Sequence, residues 1–202
     1  MSDKRTAISC TNLIKRFGQN TVLRNINITL EEGRLLALLG PMGAGKTTLL
    51  KIMATLISPD EGRAAIFGFD SVREAVKVRQ RIGYISSEDR SMYWRLSGRQ
   101  NLRFFGSLQG MESQAANQNI DRLSEIFGLQ KKINQKVKDY STGMRQALAI
   151  MRGLLHDPAV LLIDEPTRSL SLDVALKVRS YLREKVEGEG KTILLALSLI
   201  HI

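Results

Sequence analysis

Apolar positions near the start of the chain alternate or gather in β-branched runs. Thr6–Leu13, Val22–Leu30 and Arg34–Leu39 follow this pattern, with turn signals at Phe17-Gly18-Gln19-Asn20 and Glu32-Gly33, and are predicted as strands. Leu35–Leu39 is apolar without a break, as expected of a strand buried on both faces of a largely parallel sheet. A glycine-rich turn follows, and Thr47–Leu56 then carries good helix formers. From 90 to 155 the apolar spacing lengthens to three and four residues, which predicts helices over Gly98–Leu108, Gln114–Phe127 and Gly143–Leu155. Val160–Ile163 reads as a second buried strand ending in Asp-Glu-Pro, residues 172–188 as helix, and Thr192–Leu197 as a third buried strand. Such a series predicts an α/β core interrupted by a helical insertion.

Composition narrows the class. The 202 residues are 43% hydrophobic and 25% charged, ordinary for a globular chain and too apolar for a disordered one. The longest apolar runs fall far short of the ~20 residues that cross a bilayer, and Met1–Asn12 is mixed and polar, so neither spanning nor secretion is expected. A single cysteine, Cys10, makes no internal disulfide and suits a reducing cytosol. The net charge of +10 could steer nucleic acid, an anionic membrane face or phosphorylated small molecules. The excess is spread along the chain, with short clusters at Arg79–Arg81 and Lys131–Lys132, which reads mainly as a solvated basic surface.

The chemistry concentrates in two motifs. Gly40, Pro41, Met42, Gly43, Ala44, Gly45, Lys46, Thr47 and Thr48 fill the pattern G-x-x-x-x-G-K-[ST] between a predicted strand and a predicted helix. Glycines let backbone N–H groups curl around a polyphosphate, and the opening helix aims its positive end at it. Lys46 is then placed to reach the β- and γ-phosphates, and the Thr47 hydroxyl to ligate Mg²⁺. The second motif, Val160-Leu-Leu-Ile-Asp-Glu165, puts Asp164 at the tip of a buried strand 118 residues after Lys46, where it can hold Mg²⁺ through water. Glu165 can orient an attacking water and take its proton.

A third motif, Tyr140-Ser-Thr-Gly-Met-Arg-Gln146, runs into a helix eighteen residues before Asp164. It resembles the LSGGQ signature of ATP-binding cassette (ABC) ATPases, with Ser141 and Gly143 at the serine and second-glycine positions, and the likeness extends from Ile8 to Ala196. The resemblance implies a P-loop NTPase core of the ABC type: a mostly parallel sheet, an antiparallel N-terminal β part and a helical subdomain. It sets expected boundaries at 1–89 for the N-terminal part of the ATP-binding core, 90–155 for the helical subdomain and 156–196 for the rest of the core. It further implies ATP and Mg²⁺ as cofactors and a sandwich of two cassettes, homo- or heterodimeric. In that sandwich each γ-phosphate lies between one copy's phosphate loop and the other's Ser141 and Gly143. Phe17 falls where the family stacks an aromatic ring on adenine, Ile82–Glu88 matches the entry to the Q-loop, Asn101–Phe105 the helix after it, and Arg168–Asp173 the D-loop region.

Several positions depart from the family pattern. Met42 stands for asparagine in the phosphate loop, Ser87 followed by Glu88 for the Q-loop glutamine, Thr142 and Met144 for a glycine and a glutamine of the signature, and Ser171 for the D-loop aspartate. After Ala196 the chain reads Leu-Ser-Leu-Ile-His-Ile202, with Ser198 at the place of the family's γ-phosphate histidine. The codons CTG TCT CTT ATA CAC ATC, the mosaic end of a transposase-based sequencing adapter, encode the same string. Residues 197–202 are therefore expected to be non-native, and His201 is expected to have no catalytic role. His156, before Asp157-Pro158, reads as a surface residue compensating a helix dipole. The truncated core is expected to leave the strand at Thr192–Leu197 poorly covered and the isolated chain prone to aggregate.

The function implied is that of the ATP-hydrolysing subunit of an export transporter, cytoplasmic and peripheral at the inner face of the membrane, feeding a separate permease through residues 83–110. Two rivals remain: a soluble ABC ATPase acting on nucleic acid or ribosomes, and a non-catalytic regulatory cassette. A nucleic-acid partner is not expected, because the chain holds one cassette and the stretch from Lys46 to Asp164 has no sustained heptads.

Overall fold

The protein, seen in a computed structural model, is described over residues 5–86, 91–166 and 170–198. A hairpin opens the fold: β1 (Thr6–Phe17) turns at Gly18 and returns antiparallel as β2 (Asn20–Glu31), pairing Phe17 with Asn20 and Cys10 with Ile28. β3 (Leu35–Gly40) leads into α1 (Lys46–Met53), after which β4 (Glu61–Ile66) and β5 (Phe69–Asp70) rejoin the hairpin. The first sheet runs β2-β1-β4-β5, antiparallel throughout. At Gly62 a Cβ would fall 2.2 Å from the Asn12 carbonyl oxygen, so only glycine lets β4 approach β1 there.

A short helix α2 (Ala75–Arg79) precedes β6 (Ile82–Ser86), and three helices follow: α3 (Gly98–Leu108), α4 (Ser113–Ile126) and α5 (Thr142–Leu154). β7 (Val160–Asp164), α6 (Leu172–Glu187) and β8 (Thr192–Ser198) complete the described chain. The second sheet runs β3-β8-β7-β6, and β8 pairs in parallel with both β3 and β7. The chain divides into two compact units, one made of Met1–Tyr84, Ala159–Glu165 and Lys185–Ile202, the other of Ile85–Pro158 and Pro166–Glu184.

In the first unit the core joins both sheets to α1. Leu49, Leu50, Ile52 and Met53 pack with Ile8, Leu13 and Ile66 of the antiparallel sheet and with Leu162, Leu194 and Ala196 of the parallel one. In the second unit α3, α4 and α5 pack on one another with Leu102, Ile120, Leu123, Leu148 and Met151 fully buried. Ser97 starts α3 with a capping box, its hydroxyl accepting from the Gln100 amide while the Gln100 side chain accepts from the Ser97 amide.

Two expectations about the strands need correction. Leu35–Leu39 is not buried on both faces: β3 is an edge strand, and Leu35 and Leu39 are 46% and 57% exposed while Leu36 and Leu38 turn inward. The outward residues are left about half exposed, so an unbroken apolar run here marks a partly open face. β8, by contrast, is not the poorly covered strand; it lies between β3 and β7 with Thr192, Ile193, Leu194 and Ala196 fully buried. Neither β4, β5, β6 nor α2 was legible in the hydrophobic pattern, because each is short and their apolar residues share no single period.

Candidate nucleotide site

β3 ends at Gly40 and the chain coils through Gly43 and Gly45, whose φ values of 81° and 86° lie in the left-handed region. Ala44 donates its amide to the Pro41 carbonyl at 3.3 Å, closing the turn. Gly45 then serves as N-cap of α1 with no side-chain cap, so the first-turn amides are left for an incoming acceptor. Lys46 reaches back across this loop and donates from Nζ to the carbonyls of Gly40 and Pro41, both at 2.8 Å. These bonds hold the ammonium over the mouth of the loop, where a phosphate would replace the carbonyls as its partner. Pro41, Met42 and Gly43 are exposed, and Thr48 lies half-buried in the first turn of α1.

The acid-tipped strand meets this loop. The Thr47 hydroxyl donates to Asp164 Oδ2 at 2.7 Å, joining residues 117 positions apart. Thr47 is exposed on its outer side while Asp164 is 5% exposed. Burial pushes the Asp164 carboxyl above its ordinary value; the Thr47 hydrogen bond opposes this, Glu165 adds to it, and Lys51 and Lys46 oppose it. A buried carboxylate so placed gains from a nearby cation. Among the described residues no group of three or more His, Cys, Asp or Glu side chains could hold a metal ion. One carboxylate and one hydroxyl, completed by phosphate oxygens and water, are the donor set that suits Mg²⁺.

Glu165 is half-buried and takes a φ of 47°, unusual for a residue with a side chain. Its amide donates to the Ala196 carbonyl at 3.1 Å, so β8 holds the backbone of this left-handed turn. At the end of β1 Phe17 is 52% exposed, with the Lys15 ammonium 5.4 Å from its ring centroid. One ring face is thus open to stacking.

Ser141 and Gly143 lie in the other unit, at the start of α5. Ser141 is the N-cap and its hydroxyl accepts from the Met144 amide at 3.2 Å. The structure therefore brings Lys46, Thr47, Asp164 and Glu165 together within one unit and sets Ser141 and Gly143 at a helix N-terminus of the other. Ser87, Glu88, Arg168 and His201 fall outside the described residues. Ser198 pairs in register with Gly40, and its hydroxyl is buried with no hydrogen-bond partner among the described residues.

The sequence names two further side chains only within motifs and assigns them no role. Gln146 is buried and donates from Nε2 to the Pro166 carbonyl at 3.4 Å, inside the second unit. Asn101, fully buried, accepts from the Tyr93 amide and donates to the carbonyls of Tyr93 and Ser97. The signal for both was an amide side chain on the apolar stripe of a helix, which is tolerated only where partners are ready.

The chain is similar to known proteins in sequence and in fold. The family model described as ABC transporter matches residues 23–168. The ABC transporter ATP-binding protein NatA of Bacillus subtilis (strain 168) is 36% identical over 191 residues, 93% of this chain and 77% of that protein. The daunorubicin resistance ATP-binding protein DrrA3 of Streptomyces coeruleorubidus is 39% identical over 190 residues, 94% of this chain and 60% of its own length. The chain spans 28% of a further relative, the probable multidrug ABC transporter ATP-binding protein YbhF of Escherichia coli (strain K12). Among solved structures, the dimeric bacterial ABC transporter cassette MJ0796 superposes with a TM-score of 0.87 at 26% identity, over 96% of this chain and 89% of that one. The same cassette in a post-hydrolysis state bound to ADP and Pi gives 0.86 at 25% identity, with like coverage. Since the family model spans most of the chain and NatA is matched over nearly all of it, this protein belongs to the ABC transporter family as one of its ATP-binding cassettes.

Proposed function

We propose that the chain is the ATP-hydrolysing subunit of an export transporter, working as one of two cassettes beneath a separate membrane permease. The observation that carries this reading is the Thr47–Asp164 hydrogen bond, which ties the phosphate loop to the acid-tipped strand and leaves Glu165 next in line. Lys46 and the first-turn amides of α1 bind the β- and γ-phosphates, and Phe17 stacks on the adenine. Thr47 and Asp164 hold Mg²⁺, which when bound neutralises charge on the phosphate oxygens. Glu165 accepts the proton of the water that attacks the γ-phosphate in line. Ser141 and the N-terminus of α5 from a second copy, whose donors suit an anion, close on the same phosphate.

Export is favoured by the names of relatives, which include the daunorubicin resistance protein and a Nod factor export ATP-binding protein. Among the described residues no helix is long and apolar enough to cross a membrane, which suits a peripheral subunit at the cytoplasmic face. Residues 83–110 receive the permease; in support, Tyr93, Trp94, Phe104 and Leu108 stand exposed in that stretch.

Glu165→Gln tests the reading. It is expected to keep ATP binding, retain an ATP-dependent dimer and lose roughly 10²–10⁴-fold in turnover. Turnover equal to the parent's would remove Glu165 from the role of base. A parent that binds ATP and dimerises without hydrolysing it would favour the regulatory-cassette alternative.

A further inference from the structure

Trp94 is the single tryptophan of the chain and the residue is 56% exposed. The Arg145 guanidinium lies 5.6 Å from the ring centroid, and indole is the aromatic face that holds a cation best. Arg145 sits in the first turns of α5 and donates from one end of its fork to the Tyr140 carbonyl and from the other to Thr142 Oγ1. It thereby grips the residues on either side of Ser141. A cation this close to a helix N-terminus opposes the dipole, so its position needs compensating partners, which the ring and the two oxygens supply.

The loop that carries Trp94 is itself anchored. Buried Asn101 clamps Tyr93 through both its amide and its carbonyl. The Trp94 carbonyl accepts from the Lys138 amide at 3.0 Å, and the Leu96 carbonyl accepts from the Val137 amide at 3.0 Å. Residues 93–97 are thus fixed to α3 on one side and to the segment just before Tyr140 on the other, and the Arg145 guanidinium ties the ring to Tyr140 and Thr142, which flank Ser141. All of these contacts lie within one unit.

We propose that Trp94 and Arg145 form a latch that sets the direction of the Ser141 hydroxyl and the α5 N-terminus, and so the strength with which two nucleotide-loaded copies close. Both are positioning residues. The inference rests on the proposed two-cassette site.

The test uses the full chain carrying Glu165→Gln, with ATP-driven dimerisation followed by sedimentation. Trp94→Leu and Arg145→Met are expected to leave nucleotide binding to the monomer unchanged and to weaken dimerisation roughly 4- to 25-fold. An exposed cation–π pair is worth roughly 2- to 5-fold, and a dimer holds two latches. Trp94→Phe, which keeps a ring for the guanidinium, should restore most of the loss, and Arg145→Met should raise the acrylamide quenching of Trp94 emission. The latch is overturned if Trp94→Leu dimerises like the parent while Ser141→Ala does not, or if Trp94→Phe and Trp94→Leu lose equally. If the Glu165→Gln chain never dimerises with ATP, or Ser141→Ala leaves dimerisation untouched, the two-cassette reading itself fails and the latch with it.

Discussion

Asp164→Asn separates a metal-holding carboxylate from a structural one. Asparagine has almost the same shape and keeps a carbonyl oxygen for the Thr47 hydroxyl, now 2.7 Å from Asp164 Oδ2, so the contact survives while the charge goes. The carboxyl is 5% exposed and held above its ordinary value chiefly by burial, which means that its charge costs the empty fold free energy. The native state therefore keeps its proton where the unfolded chain has already lost it. Its contribution to stability is full below the unfolded value of about 3.9 and is lost as pH rises through the higher native value. Without nucleotide the variant should melt no lower than the parent at pH 7, and any advantage should shrink as pH falls toward about 4. With ATP the result reverses. A tenfold loss in affinity for the magnesium complex removes about 1.4 kcal/mol of ligand stabilisation, roughly 3–6 °C for a chain of this length. Thermal melts with ATP and EDTA against ATP and Mg²⁺, at pH 4 to 8, measure both effects. Were Asp164 a structural acceptor, losing a charge-assisted hydrogen bond would cost about 1.5–3 kcal/mol and lower the empty protein's melting point by roughly 3–12 °C. That outcome, or an undiminished magnesium increment, would refute the assignment.

Other perturbations have equally definite signs. Gly45→Ala forces a side chain into φ 86° and sets its Cβ 2.7 Å from a Leu23 methyl and 3.0 Å from the Val22 carbonyl, so calorimetry should show a loss of several kcal/mol, about 3 or more, and titration no ATP binding. Gly43→Ala, at φ 81° but facing open space, should cost only about 1 kcal/mol. Ser141→Ala removes an N-cap and should lower stability by about 1 kcal/mol, with turnover falling more than that loss accounts for. Leu39→Lys on the open side of β3 should lower light scattering of the concentrated chain without moving its melting point by more than a few degrees; unchanged scattering would clear that face as the source of association.

Much of the site is legible in the sequence itself. The loop from Gly40 to Thr48 needs particular residue types at fixed neighbouring positions, because backbone amides and a lysine must surround a phosphate, and local demands of that kind are written locally. The helices Gly98–Leu108 and Ser113–Ile126 were equally plain, since each buries one stripe of a 3.6-residue period, and Thr142–Leu154 was plain by its length and apolar content, although it is buried all round from Gln146 to Met151. β7 read correctly as a strand enclosed on both sides, but the same apolar pattern in β3 misled. An apolar run states what a strand tolerates, whereas its place in the order β3-β8-β7-β6 decides what covers it.

What the sequence alone determined was the set of reactive groups: an ammonium at Lys46, a hydroxyl at Thr47, carboxylates at Asp164 and Glu165, and a capped helix at Ser141. Tertiary structure decided what each of them meets. It set Thr47 against Asp164, turned Glu165 into a left-handed residue held by Ala196, and laid the Trp94 ring on Arg145. These contacts join residues far apart in the chain through sheet register and loop packing, and no periodicity carries that information because register is fixed only when the strands have paired.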